Sequence, residues 1–254
     1  MSRAEHLYHR IMVGLLFTLL ALPLLATLLY AISSDWSNTI LPQGYSLKWF
    51  IQLWSDPRFL TALGHSLLIC FGALLFSLAL VLPAMFVIAY YFPRLDSVMN
   101  ILILMPFAVP PVVSSVGLLQ LYSSSPLMLT GTPWILIGCY FTIALSNNMQ
   151  AINLKELIDA AQLLGASTWQ AAIWVVLPNL RKGMLIAVLL SFSFLIGEFV
   201  FANLLVGNRY ETLQVYLFNM RNGSGHFTSA LVISYFFVVL LVTWLANALN
   251  PERG

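Results

Sequence analysis

Charged side chains are what this sequence has least of: Asp, Glu, Lys and Arg make up 8% of 254 residues, while 60% are hydrophobic. Water-soluble domains carry about a quarter charged residues, so a soluble enzyme or a compact DNA-binding module is excluded. Only two cysteines occur, Cys70 and Cys139. Each sits in an apolar run without a partner at metal-ligand spacing, so neither structural zinc nor a disulfide scaffold is expected. Basic side chains are also few and scattered, and a net charge of +2 gives no patch that would hold nucleic acid. No Gly-rich loop ending in Gly-Lys-Ser/Thr is present, so the chain has no phosphate cradle of its own.

What fills the sequence instead is long uncharged runs. Twenty-four residues separate Arg10 from Asp35, 35 separate Arg58 from Arg94, 58 separate Asp96 from Lys155 and 30 separate Arg221 from Glu252. A membrane-crossing helix needs about 20 residues, so the 58-residue run has room for two crossings. The result is an all-α polytopic membrane protein with six transmembrane helices near 11–33, 61–91, 98–122, 133–151, 184–206 and 226–248, forming a single domain over 1–254. Arg3, His6, His9 and Arg10 before the first run resemble a signal peptide, but the apolar part is too long and no cleavage site precedes Asp35, so a retained helix is expected. Pro83 is expected to kink the second span. Pro106, Pro110 and Pro111 must bend or unwind the third, which lipid tolerates only where protein covers the freed carbonyls.

With the N-terminus inside, the inner set of basic residues is Arg3, Arg10, Arg94, Lys155, Arg181, Lys182 and Arg253. The outer set is Lys48, Arg58, Arg209 and Arg221, and seven against four places both termini in the cytoplasm. The outer segment 34–60, with Trp36, Trp49 and Trp54, then reads as an interfacial loop whose aromatics anchor at the membrane surface.

Residues 152–183 differ from every other connection. Leu154, Leu157, Ile158, Ala161 and Leu164 recur at helical spacing opposite Lys155, Glu156, Asp159 and Gln162, which makes an amphipathic helix and not a spanning one. Gly165 is placed to end it, and Ser167 or Thr168 to cap a second short helix running toward Pro178. From the pattern alone this is either an interfacial linker or a compact cytoplasmic knob for a partner to grip.

Asp159-Ala160-Ala161, three residues, Gly165, nine residues, then Val175-Val176-Leu177-Pro178 resembles the signature loop of permease subunits in bacterial binding-protein-dependent ABC importers. That loop carries Glu-Ala-Ala, three residues, Gly, nine residues, then Ile, any residue, Leu and Pro; Asp159 and Val175 are mild departures. The resemblance implies a type I importer permease fold in the bacterial inner membrane, with 152–183 as the cytoplasmic coupling loop. Asp159, Ala160, Ala161 and Gly165 would form the coupling element, closed by Leu177 and Pro178 against the fifth span. The implied partners are two nucleotide-binding ATPase subunits, a second permease of a different sequence, an extracytoplasmic solute-binding protein and the lipid bilayer. ATP and Mg²⁺ would be used by the ATPase subunits, and this chain would bind no cofactor and catalyse nothing itself. Asn153 to Gln162 and Ser193 to Phe199 further resemble the polyamine, ferric-ion and aminoalkylphosphonate groups of such permeases, which implies a small polar cargo, a polyamine or an aminoalkylphosphonate.

Toward the cargo, Glu198 is the one carboxylate well inside a span, and it and Asn203 are candidates for the translocation pathway or a gate. A cation counter-charge and a helix-packing role are both open to Glu198. His65 is expected to make an interhelical hydrogen bond and Asn147, Asn148 and Asn153 to cap and pack. Arg209, Glu211 and Arg221 flank the last outer loop, where they are available to a binding protein. An ion-coupled secondary transporter would carry more intramembrane charge, and a non-transporting scaffold subunit would need no signature loop.

Overall fold

A computed structural model describes residues 3–36, 42–124, 127–151, 159–161, 163–179 and 181–248, and among these the only strand-like pairing is one isolated bridge from Ser33 to Tyr45. The chain divides into two compact units: Met1–Leu60 with Leu217–Val242, and Thr61–Tyr216 with Thr243–Gly254.

In the first unit, α1 (Arg3–Ile32) is the expected first span. Its hydroxyls turn back onto the helix, with Thr18 Oγ1 donating to Gly14 O and Thr27 Oγ1 to Pro23 O, both at 2.8 Å, so they add no unsatisfied polarity to an apolar surface. Within Tyr8–Ile32 its most apolar 18-residue stretch has no buried residue, which leaves lipid or another chain to cover it. The outer segment is more ordered than a loop: it contains α2 (Lys48–Trp54). Two of its tryptophans are tied by their indole nitrogens, Trp49 Nε1 donating to Ser33 O at 3.0 Å and Trp54 Nε1 to Ser234 Oγ at 3.1 Å. His226 stacks on Tyr30 at 4.0 Å and on Trp49 at 5.5 Å, and its Nδ1 lies 2.8 Å from Tyr30 O. These side chains hold the segment after α1 in place, a local packing role that composition did not reveal.

α3 (Pro57–Tyr91) runs continuously through Pro83. In the second unit its buried positions Cys70, Ala73, Leu74, Ser77 and Val81 fall three or four residues apart and so line one helix face. α4 (Asp96–Ala108), α5 (Pro111–Tyr122), α6 (Pro133–Ala151) and α7 (Arg181–Ile196) are the longer helices wholly inside this unit. α6 packs on α7 and α4. Leu136, Tyr140 and Ala144 form the buried stripe of α6, and Ala187, Ser191 and Leu195 that of α7. The small residues in these stripes let backbones approach closely, which is how helices gain contact in lipid.

The expected third span is broken where the prolines require it. α4 ends at Ala108, Val109 is extended at φ −100° and ψ 122°, Pro110 has φ −55° and ψ 136°, and Pro111 opens α5. Proline pushes the preceding residue out of the helical region and has no N–H, so Val109 and Pro110 leave the helix and Pro111 begins the next at its first turn. Ser115 Oγ donates back to Pro111 O at 2.7 Å.

A last short helix, α8 (Leu213–Asn219), precedes α9 (Gly225–Ala248), the sixth span. The α8 start is fixed from α3: Leu213 N–H donates to Ser66 Oγ at 2.8 Å, with both residues buried. Removing that acceptor strands a buried donor, so Ser66→Ala is expected to cost about 1–3 kcal/mol. Thermal unfolding of the detergent-solubilised protein checks this, and an unchanged midpoint would show that the bond does not hold α8.

Candidate functional site

The inner loop is built by two local motifs. Residues 152–158 and 162, where the amphipathic helix was read, lie outside the described residues. Asp159, Ala160, Ala161 and Leu163 are helical, and Gly165 ends this helix at φ +72° with Ala166 N–H donating to Ala161 O at 3.1 Å. That bond closes the six-residue loop typical of a left-handed helix stop, a conformation that costs any residue with a Cβ. Ser167 and Gln170 then cap the next helix reciprocally. Gln170 Oε1 accepts from Ser167 N–H at 2.9 Å, and Gln170 N–H approaches Ser167 Oγ at 3.4 Å. Helix continues over Thr168–Gln170, widens to π geometry over Ala171–Val176 and returns to α over Leu177–Asn179. The wider turn eases the clash of the Pro178 ring with the preceding carbonyls, and Asn179 Nδ2 donates to Val175 O at 2.7 Å.

The sequence-expected coupling residues separate by face. Ala161 is fully buried, whereas Asp159, Ala160, Gly165 and Pro178 are exposed. Around them Leu163, Leu164, Trp169 and Trp174 expose between 73% and 89% of their surfaces. The knob therefore presents large apolar side chains outward, which a purely solvated linker would not do.

The fifth span is interrupted near its outer end. α7 stops at Ile196, and a new helical turn starts at Val200 and takes π geometry over Ala202–Val206. Glu198 sits in the gap, and its two carboxylate oxygens accept from Phe201 N–H at 3.0 Å and Ala202 N–H at 3.2 Å. Tyr140 OH donates to Glu198 O at 3.2 Å, and Gln214 Nε2 to Ile196 O at 3.4 Å. The groups that the break would orphan are thus met by side chains, and Glu198 acts as the cap of the outer turn. Gln214 and Tyr140 were not singled out from the sequence, because neither lies close in sequence to the break it serves.

Both breaks open onto one cavity of about 560 Å³, lined by Phe107 and Pro111 from the first, Glu198 and Phe201 from the second, and Ser114, Trp134, Thr142 and Phe194. A second cavity of about 260 Å³ lies between Leu119, Thr130, Gly131, the 203–207 segment and Arg209. Asn203 lines this one, so the two pathway candidates Glu198 and Asn203 face different spaces. Asn147 is buried, and its Nδ2 finds no acceptor among the described residues.

Of the outer charges, Arg209 belongs to the short turn Gly207–Tyr210, and Glu211 follows it in extended conformation. His65 Nδ1 donates to Glu211 O at 3.0 Å and its ring stacks on Tyr210 at 3.9 Å, so the hydrogen bond expected of it runs from a helix to extended backbone and not between two helices. Burial pushes the Tyr210 phenol above its usual range, so it stays neutral there. Arg221 is held by its own helix end, donating to Phe218 O at 2.7 Å with its guanidinium 3.8 Å from the Phe218 ring centre.

The family model described as binding-protein-dependent transport system inner membrane component matches residues 80–253. The permease protein PhnV of Salmonella typhimurium, named for 2-aminoethylphosphonate transport, is 29% identical over 92% of this chain and 90% of its own length. The sulfate transport system permease protein CysW of Escherichia coli is 28% identical over 91% of this chain and 84% of its own. In fold, the chain is similar to a bacterial alginate ABC transporter solved with an alginate-bound periplasmic protein, at a TM-score of 0.71 and 16% identity over 98% of this chain and 95% of that one. The all-α type I permease fold is therefore the one observed; among the described residues three helices are long and apolar enough to cross a membrane, Tyr8–Ile32, Pro57–Ile88 and Gly225–Ala246, beside shorter apolar helices.

The capping role of Glu198 makes a direct prediction. Glu198→Ala strands two backbone donors and is expected to lose about 1–2 kcal/mol, whereas Glu198→Gln keeps one acceptor and loses less. Thermal unfolding of both variants checks this, and equal stability of Glu198→Ala and the native chain would remove the cap.

Proposed function

Because the chain belongs to the family of binding-protein-dependent transport system inner membrane components, we propose that it forms half of a solute pathway whose opening is driven by a separate ATPase through the 159–178 loop. Two ATPase subunits, using ATP and Mg²⁺, grip the loop from the cytoplasm, where both termini also lie. A second permease of different sequence completes the pathway. The extracytoplasmic binding protein delivers cargo to the opposite face, with Glu211 and Arg221 as its candidate contacts. The cargo is a small polar solute, an aminoalkylphosphonate or a polyamine; similarity to PhnV supports the first and the sequence resemblance supports both.

One observation carries this reading. The loop is stiffened by the Gly165 stop and the Ser167–Gln170 cap, yet it turns Leu163, Leu164, Trp169 and Trp174 away from the protein. A stiff element with an apolar outer face transmits a rigid-body shift from whatever covers that face. Asp159 and Ala160 on the same exposed surface offer an acceptor and a site of close approach. Ala161, buried on the other side, fastens the knob to its own chain.

ATP hydrolysis by the co-purified complex in nanodiscs, with and without loaded binding protein, tests the reading. Leu163→Glu alters a side chain that is 89% exposed, so the chain should fold while the ATPase subunits dissociate or stimulation falls at least tenfold. A Cβ at Gly165 meets no atom within 4 Å, but Gly165→Asp must adopt φ +72°, about 1–2 kcal/mol of backbone strain, and should uncouple stimulation in an intact complex. Full stimulation in both variants would remove the coupling role from this loop, and failure of any ATPase to co-purify would remove the importer reading.

A further inference from the structure

Arg209 is seated with unusual care for an exposed residue. The turn beneath it is fixed by Gly131, whose N–H donates to Leu205 O at 2.8 Å and whose φ is +79°. A Cβ at Gly131 would stand 2.6 Å from Arg209 Cδ and 2.9 Å from Nη1, so glycine is favoured by its own backbone, and any larger residue would push the end of the arginine aside. The end of the arginine, Cδ to Nη1, thus lies along Gly131, and Arg209 lines the 260 Å³ cavity together with it. Among the described residues no carboxylate or carbonyl takes up that guanidinium. Thr130 and Asn203, which line the same cavity, likewise have hydroxyl and carboxamide groups with no partner among the described residues. Gly207 N–H closes the adjacent turn onto Ala202 O, and Leu205 O is taken by Gly131, so two of the nearby carbonyls are already occupied.

A planar cation, a hydroxyl and an amide around one small space form a donor set, and donor sets of this kind recognise tetrahedral oxyanions. We propose that Arg209, Thr130 and Asn203 form a binding site for the oxyanion end of the transported solute, a phosphonate or a sulfate. The proposal rests on the importer reading above and deepens it: Arg209 serves the cargo instead of docking the binding protein. An arginine fork can take two oxyanion oxygens at once, which a lysine at this position would not do. The simpler alternative is that Arg209 only closes the carbonyl end of the 202–206 turn, and in that case the charge would matter to stability and not to cargo.

The test uses the complete complex with its binding protein, in proteoliposomes for uptake and in nanodiscs for docking. Labelled 2-aminoethylphosphonate, sulfate and putrescine are the probes. Arg209→Gln is expected to reduce uptake of an oxyanion probe about ten- to a hundred-fold, the range for a lost charged hydrogen bond. Arg209→Lys should recover part of it, while binding-protein affinity and stimulated ATP hydrolysis stay within about twofold of native. Gly131→Ala, which displaces the arginine stem, should reproduce the uptake loss. Unchanged uptake in Arg209→Gln overturns the site, and so does a matching loss of binding-protein affinity, which would make Arg209 a docking contact. A native complex that hydrolyses ATP on stimulation yet imports putrescine alone, or neither oxyanion, also overturns it while leaving the importer reading intact. A native complex without stimulated hydrolysis takes down the importer reading itself.

Discussion

A backbone crossing lipid must satisfy its own hydrogen bonds, and the architecture follows from how this chain meets that demand where its helices break. Two interruptions open onto the same cavity, one around Val109 and Pro110 and one around Gly197 and Glu198. The first is made tolerable by chemistry already in the sequence, since Pro110 and Pro111 have no N–H to leave unpaired. The second contains no proline and exposes real donors and acceptors. It survives because Glu198, Tyr140 and Gln214 supply the missing partners from three different segments. Each break gives a helix an end inside the membrane region, and helix ends are where a side chain or a solute can reach the backbone.

The inner loop obeys the opposite logic. There water is available and no tertiary contact is required to define the conformation, so local signals suffice. Gly165 at a left-handed stop and Ser167 paired with Gln170 set two helix ends within six residues. The energy of such motifs is only about 1 kcal/mol each. That is enough to choose a shape but too little to resist a large load, so under the proposed coupling further stiffness would have to come from the buried Ala161 and from whatever covers the exposed leucines and tryptophans.

This division explains what was legible in the sequence. The spans at 61–91, 133–151 and 226–248 were readable to within a few residues because uncharged run length is a local property, while α1 begins well before residue 11 and α7 stops well short of residue 206. The break at Val109 was readable because proline acts on its immediate neighbour. Gly165 and Ser167 were readable for the same reason. α2 and α8 were not: seven-residue helices give too short a periodic signal, and both are fixed by bonds from distant residues, Trp54 to Ser234 and Leu213 to Ser66. The role of Glu198 was only half legible. Its cost in a span was evident, but whether its charge faces solute or backbone depends on where Phe201 and Ala202 point their N–H groups. Gly131 was missed altogether, since nothing within the sequence connects it to an arginine 78 positions later.

The polar groups of the outer half therefore fall into two populations with different consequences. Ser66, Tyr140, Glu198 and Gln214 are engaged by the chain itself, and any solute that drew on them would have to break a bond that holds a helix end. Such a competition raises the barrier to passage, because the orphaned backbone group costs about as much as the new contact returns. Arg209, Thr130 and Asn203 carry no such obligation among the described residues. A solute can use them and leave without disturbing the scaffold, which is what a pathway needs, since a site that binds by unfolding its walls cannot also release quickly. The one intramembrane carboxylate, conspicuous in the sequence for its charge, is by this argument the less suitable cargo contact, and the arginine over Gly131 the better one.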